Sequence, residues 1–323
     1  MSISRTELQD AARKAFGEHG LAPDADKCWG LMADMGWLGM TVPEQFGGLG
    51  LGREAAGVIH MELGRALVPG PAIAQMLAIT ALTNADAAPN RDDLLDRAMA
   101  GEIFAASLNL SLSAVPDADK ASHVLVLDKD SIALVALADA KITLRPTWDK
   151  SQRLFDIALS DNAPRIVLAE GTAARQLEAR LRVQLSFALA ADSLGGATAV
   201  LEQTIEYLRM RRQFDRPLAM FQALKHRCAD LKTRIVAAEA LLWAFAANAE
   251  DDVVAAGALK AHATQLYVDV AEEAIQLHGG IGLTEEHHCH LFFKRALLNL
   301  NLGGSTDELE EAMGRRMLLE RAV

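Results

Sequence analysis

Eight apolar residues, Phe221, Leu224, Cys228, Leu231, Ile235, Ala238, Leu242 and Phe245, recur at alternating steps of three and four. A seam of that kind fits one buried stripe of a long α-helix and no β-strand. Ala256, Leu259, Ala263, Leu266, Val270 and Leu277 repeat the pattern on a second helix, and Leu181 to Arg211 reads as a third. Each stripe needs a partner to cover it, so the C-terminal half is predicted to be an antiparallel helix bundle.

The second seam runs into Gln276-Leu277-His278-Gly279-Gly280-Ile281-Gly282. Two adjacent glycines at the end of a helix leave backbone N–H groups bare, and Arg211, at the end of another helix, can add a positive charge. Bare N–H groups with an arginine suit a diphosphate. Taken singly, Gly279-Gly280 also reads as an ordinary helix stop and Arg211 as a solvated helix-end charge.

Composition removes several alternatives. A net charge of −11 argues against a nucleic-acid partner, whose affinity would need a basic surface. The three cysteines, Cys28, Cys228 and Cys289, are too far apart in sequence for a disulfide framework or a thiolate zinc site. The longest apolar run, Val183 to Leu201, contains Gln184, Asp192 and two glycines, which suits a buried helix and not a membrane span. With no signal-peptide core in Met1 to Gly20, the expectation is a soluble cytoplasmic protein.

Three domains are expected along the chain. Residues 1–101 read as short helices, including Thr6 to Phe16, Trp29 to Met35, Arg53 to Arg65 and Ala72 to Thr83. A glycine-rich stretch from Gly36 to Gly52 lies among them; with no Lys-Ser/Thr after it and no strand before it, it reads as a connector and not a phosphate loop. Residues 102–170 change character. Ile103 to Leu110, His123 to Leu127, Ser131 to Leu137, Lys141 to Leu144 and Leu154 to Leu159 are strand-like, giving a small β-domain. Residues 171–323 are helical to the end, where Ser305-Thr306-Asp307-Glu308 forms a capping box for a helix over Asp307 to Glu320. The fold class is mainly α with a small, reduced β-domain.

This order, with four motifs in sequence, resembles the acyl-CoA dehydrogenase family along nearly the whole chain. Met40 to Gly50 is similar to that family's N-terminal "VPE-x-aromatic-GG-x-G" loop, and Glu62-Leu63-Gly64-Arg65 to the helix that follows it. Arg211 to Leu218 with Phe221-Gln222 resembles the "R-x-x-FG-x-x-L…FQ" signature, and Gln276 to Gly282 resembles "Q-x-x-GG-x-G". The resemblance implies four helices in the antiparallel C-terminal bundle, a four-helix bundle, and FAD lying across a subunit interface. Arg211 would then face the pyrophosphate, Gln213, Phe214 and Gln222 would line the same pocket, and Gln276 with Gly279 and Gly280 would complete it. Asp215 stands where the family prefers glycine, and a carboxylate there needs Arg212 or Arg216 to neutralise it.

The resemblance also locates what is missing. The family removes the α-proton of an acyl-CoA thioester with a glutamate while hydride leaves for the flavin. Counted by family spacing, that base would fall at Gly303 or, in the alternative location, near Leu185, and neither residue accepts a proton. The "T-E-x-x-x-G-S-D" loop and "W-I-T/S-N" strand that hold the flavin ring are also absent: Asn109 to Ser113 takes the first place, and Trp148 to Arg153 resembles only a later piece. No catalytic residue is therefore assigned. The family members with this pattern are one subunit of α2β2 heterotetramers, including those that dehydrogenate steroid side-chain CoA thioesters. The chain is read as a silent subunit whose homologous partner carries the glutamate. The alternative is a non-redox scaffold, or an acyl-CoA-binding protein without flavin.

His287-His288-Cys289-His290 invites a metal reading, but consecutive residues do not all point at one ion, and a turn after Gly282 is preferred; no metal is assigned. Glu285 and Glu286 lie close to the Gly-Gly segment and are read as surface residues. Ser305 falls where the family has a threonine touching flavin, and capping explains it equally well.

Overall fold

The computed structural model describes residues 4–18, 20–85, 88–109, 111–149, 151–248 and 250–321, with side chains up to 319. Leu110 and Lys150, which fall in the first strand-like stretch and in the Trp148 segment, lie outside the described residues. Helices α1 (Arg5–Gly17), α2 (Ala25–Asp34), α3 (Arg53–Arg65), α4 (Ala72–Thr83) and α5 (Arg91–Met99) come first. Helix α1 starts with a full capping box, in which Ser4 and Glu7 satisfy each other's backbone N–H groups. In the glycine-rich connector the N–H groups of Leu49, Gly50 and Leu51 donate to the carbonyls of Gly39, Val42 and Met40. A Cβ on Gly48 would lie 2.2 Å from the Val42 carbonyl oxygen. The glycines there close the chain on itself and leave those donors no phosphate to bind.

Strands β1 (Phe104–Ala106), β3 (His123–Leu127), β4 (Ser131–Ala136) and β7 (Arg165–Glu170) form one sheet in the order β1-β3-β4-β7. β1 and β3 are parallel and the other pairs antiparallel. Strands β2 (Val115–Pro116), β6 (Leu154–Ala158) and β5 (Lys141–Arg145) form the second sheet, in that order. Ala105, Val124 and Val135 of the first sheet pack with Val115, Phe155 and Ile157 of the second. The sequence reading named five of these strands and passed over β2 and β7. β2 is two residues long and includes a proline, and β7, although Asp161 to Pro164 mark its start, runs straight into a helix with no signal at its end.

Helix α6 (Gly171–Met210) is 40 residues long, roughly 60 Å at the α-helical rise. Its middle has no polar face. Leu181, Leu185 and Leu189 join the core with the N-terminal helices, and Leu194, Val200 and Leu208 the core with the C-terminal ones. Close crossings replace side chains with backbone. A Cβ on Gly64 of α3 would lie 1.9 Å from the Asp192 carbonyl oxygen, and one on Gly195 of α6 would lie 1.8 Å from that of Met61. Gly64 in the Glu-Leu-Gly-Arg motif is therefore a helix-crossing residue. Helices α7 (Gln222–Ala247), α8 (Val253–His278), α9 (Cys289–Asn301) and α10 (Thr306–Arg321) complete the bundle. On α7, Cys228, Leu231, Ile235, Ala238 and Leu242 are buried as the seam requires, while Leu224 and Phe245 are half-buried and Phe221 precedes the helix. Ser305 caps α10 as read, its Oγ accepting from the Glu308 N–H at 3.3 Å. Among the described residues, no helix is long and apolar enough to cross a membrane.

Candidate functional site

The end of α6 and the end of α8 carry the seven residues assigned to the nucleotide. Past Met210 the chain leaves the helix at Arg211 and makes a short hairpin, strand β8 (Arg212–Gln213) pairing with β9 (Arg216–Pro217). The two turn residues, Phe214 and Asp215, both have left-handed backbones, with φ of 52° and 62°. A two-residue hairpin needs positive φ at both places. Aspartate tolerates it, so Asp215 replaces the family glycine as a turn former. The expected neutralisation of its carboxylate is not seen. Arg212 donates instead to the Asp215 backbone carbonyl at 2.9 Å, and the Arg216 guanidinium lies 4.0 Å from the centre of the Phe221 ring. Both arginines brace the hairpin. Phe214 is held at its tip, 83% exposed, edge-on to Phe221. A bulky residue in the left-handed region with an exposed side chain is strain that internal packing does not explain.

Gln222 opens α7 and is exposed, as are Arg211 and Gln213. Gln276, also exposed, sits in the last turns of α8 beside a groove between α7 and α8. Across that groove Arg234 pairs with Asp269 at 2.5 Å, and Arg227 pairs with Glu273. Gly279, with φ 66°, ends α8 and starts a short 3-10 turn to Leu283. A Cβ on Gly279 or Gly280 would meet no atom within 4 Å. At Gly280 neither φ nor crowding demands glycine, so the bare backbone faces open space. Tyr207 ties the two groups together: its hydroxyl donates to the His278 carbonyl at 3.2 Å, and its ring stacks on the His278 imidazole at 4.4 Å.

All seven residues are exposed, and among the described residues the Arg211 side chain makes no ion pair. This end presents a guanidinium and bare backbone N–H groups on an open surface, donor types that suit an anionic phosphate.

The other end holds a cavity of about 410 Å³ bordered by Leu108, Leu185, Ser186, Gly303, Gly304 and Glu308. A Cβ on Gly303 would lie 2.9 Å from Leu189 Cδ1 and 3.6 Å from Leu185 Cγ. The two locations counted for a base thus meet at one place, and leucine occupies it. The Gly303 N–H donates to the Leu108 carbonyl at 2.9 Å and to Asn109 Oδ1 at 3.2 Å. The loop is pinned from α8 by Lys260, fully buried, whose Nζ donates to the carbonyls of Leu300 at 2.9 Å and Gly304 at 2.8 Å. Burial without a carboxylate partner pulls the Lys260 pKa down to about 8. Glu308 borders the same cavity, but its carboxylate accepts from the Ser305 backbone N–H and hydroxyl, which lower its pKa. An acid tied in that way is a poor proton acceptor. Nor do the serines of the β-stretch offer a ring pocket. Ser107 Oγ donates to the Ser113 carbonyl at 3.1 Å, and the Ser111 and Ser113 hydroxyls bond each other at 3.0 Å.

Sequence reasoning missed the buried polar cluster behind this loop. Arg295 of α9 donates to Asp149 at 3.1 Å and to Ser151 Oγ at 2.8 Å, and lies 3.6 Å from Asp192 of α6. Burial pushes the Asp192 carboxyl up, against the pull of Arg295 and a hydrogen bond from Asn299. Leu108, Leu154, Leu189, Leu298 and Leu302 close in around the cluster and leave a cavity of about 40 Å³, room for a water and for no acyl chain. A charge cluster so buried shows in a sequence only as scattered polar residues among apolar ones.

Residues 2–102 match the family description "Acyl-CoA dehydrogenase, N-terminal domain", and residues 185–318 match "Acyl-CoA dehydrogenase, C-terminal domain". The chain is 35% identical to acyl-CoA dehydrogenase IpdE2 of Mycobacterium tuberculosis over 274 residues, covering 84% of this chain and 80% of that one. Its fold is similar to a solved steroid acyl-CoA dehydrogenase, a Tcur3481-Tcur3483 variant, at TM-score 0.86 and 26% identity over 99% of both chains. It is also similar in fold to a chain of the ChsE4-ChsE5 complex of Mycobacterium tuberculosis, at TM-score 0.86 and 20% identity over 98% of both.

Proposed function

We propose, from the premise that this chain belongs to the acyl-CoA dehydrogenase family, that it is the catalytically silent subunit of a heteromeric enzyme. In this reading it completes the FAD site of a homologous partner that supplies the glutamate and the ring pocket. The reaction is α,β-dehydrogenation of an acyl-CoA thioester, for which bound FAD supplies the hydride acceptor. Arg211 meets the pyrophosphate, Gln213, Phe214 and Gln222 line the nucleotide, and Gln276 with the backbone at Gly279 and Gly280 closes over it.

One contrast carries the reading: the nucleotide end is exposed and pre-shaped, while Gly303 and Leu185, side by side at the place of the base, offer no side chain that accepts a proton. The likeness to a chain of the Tcur3481-Tcur3483 steroid acyl-CoA dehydrogenase and to one of the ChsE4-ChsE5 complex supports a two-subunit assembly, and the first of them a steroid-derived acyl group. The test is an absorbance spectrum of the chain purified alone, then after mixing with the homologous subunit. The reading expects a colourless, inactive chain and flavin-bound activity in the mixture. A yellow, active single-chain enzyme would overturn it. The second reading, a scaffold without flavin, draws on Asp215, whose carboxylate pairs with no arginine among the described residues. A mixture that forms a complex with no FAD at this chain's interface would favour it.

A further inference from the structure

His278 closes α8 and Cys289 opens α9, with the Gly-Gly segment and a turn between them. The fold brings both ends together with His287, so that the ligand atoms of His278, His287 and Cys289 all lie within 4.8 Å of one another. His278 and Cys289 are buried and His287 is half-buried. We propose that these three side chains bind a single thiophilic closed-shell cation, Zn2+ or Cu+.

The donor set selects the ion. Two imidazoles and a thiol, with no carboxylate among them, suit soft or borderline cations and not Mg2+ or Ca2+. The tautomer of His278 is already set for a ligand. Its Nδ1–H donates to the Ala274 carbonyl at 2.7 Å, which leaves the Nε2 lone pair free, and Tyr207 stacks on the ring. A backbone carbonyl on the far ring nitrogen is the usual outer contact of a metal-binding histidine. Cys289 Sγ lies 3.2 Å and 3.7 Å from the two His278 nitrogens, and the His278 and His287 ring centres are 4.2 Å apart. The sulfur is thus nearer the nitrogen committed to Ala274, so coordination bonds of about 2.0–2.3 Å through Nε2 need the His278 ring to turn toward the thiol. The contact displaced is a long one, the Cys289 N–H to His287 Nδ1 at 3.3 Å.

Without an ion Cys289 is a neutral thiol, since burial pushes its pKa up to about 12. Binding replaces the S–H bond by a sulfur–metal bond, and the proton leaves to solvent. Three protein ligands leave one coordination position open. The ion ties both ends of the segment that carries Gly279 and Gly280, so it staples that loop whether or not the loop holds a nucleotide. The inference does not rest on the flavin reading.

The experiment titrates the full chain with Zn2+, and separately with Cu+ under reductant without oxygen, against a chromophoric chelator. Co2+ serves as a spectroscopic probe of the same site. The proposal expects one ion per chain, a thiolate-to-cobalt charge-transfer band, and affinity reduced by more than about tenfold in Cys289→Ser and in His287→Gln. Cys28→Ser and Cys228→Ser should bind as the wild type does. His287 is only half-buried, so His287→Gln guards against a Cys289→Ser that fails to fold. Tight binding of either ion identifies it. Binding of neither, a cobalt complex without the thiolate band, or wild-type affinity in both ligand variants would overturn the proposal.

Discussion

Gly303 and Leu185 are 118 positions apart in sequence, yet a Cβ on Gly303 would lie 3.6 Å from Leu185 Cγ. Two separate counts along the chain, one forward from Gln276 and one back from Phe214, therefore reach the same point in the fold. That point has no proton acceptor. Its neighbours Leu108 and Leu189 are apolar, and the Gly303 N–H is committed to the Leu108 carbonyl.

Placing a carboxylate there should not create an enzyme. Leu185→Glu sits on a regular helix, so it adds an acid at the vacated place without backbone strain. The expected outcome is no dehydrogenase turnover from the chain alone, with stability lowered by about 2–5 kcal/mol through burial of a polar group in an apolar site. Activity assays and urea unfolding check this together. Turnover would mean that a working ring pocket survives in this chain.

Arg211→Gln separates ligand binding from folding. The side chain is exposed and has no ion-pair partner among the described residues, so the melting temperature of the isolated chain should barely move, by less than about 0.5 kcal/mol in stability. In complex with the partner, FAD retention should fall roughly 10- to 100-fold, the worth of about 1.5–3 kcal/mol for a charge-assisted hydrogen bond. Flavin release during dialysis reports it.

Arg295→Met tests the buried cluster. It strands Asp149 and Asp192, which are 2% and 5% exposed, beside an apolar side chain. Removing one partner of a buried ion pair costs about 3–5 kcal/mol. Denaturant unfolding should show that loss near neutral pH, with recovery toward acid pH as the stranded carboxylates protonate.

His60 of α3 gives a pH signature. It is fully buried, its Nδ1 has no hydrogen-bond partner among the described residues, and desolvation holds its pKa down to about 4, against 6.5 when unfolded. Between those values the unfolded chain takes up a proton that the folded chain refuses. Stability is complete above pH 6.5 and falls as pH drops toward 4, by about 3 kcal/mol in all. His60→Leu should flatten the stability–pH curve across this window, as measured by urea midpoints at pH 7 and pH 5.

What could be read from the sequence was local. α3 and α4 begin and end where the apolar spacing and the prolines place them, and the Ser305 capping box involves neighbours three residues apart. The seam from Cys228 to Leu242 is buried because helix periodicity alone decides it. The rest depends on distant residues. Helix α5 has only Leu94, Leu95 and Ala98 as its buried face, too few for a periodic signal. Arg295 finds Asp149 across 146 positions, and His278 finds Cys289 across a turn, so neither pairing has a spacing to recognise. The positive φ of Phe214 was hidden because a bulky aromatic gives no hint of a left-handed turn. For the nucleotide site the proposal adds a further reason: in that reading its remaining walls belong to another polypeptide.

The most direct test of a divided flavin site is co-expression with the homologous subunit, followed by flavin absorbance and native mass of the same purified complex. The account predicts one FAD for each unlike pair, and none on this chain by itself. One FAD on every chain, or a flavin-loaded homo-oligomer of this chain that dehydrogenates an acyl-CoA, would contradict it.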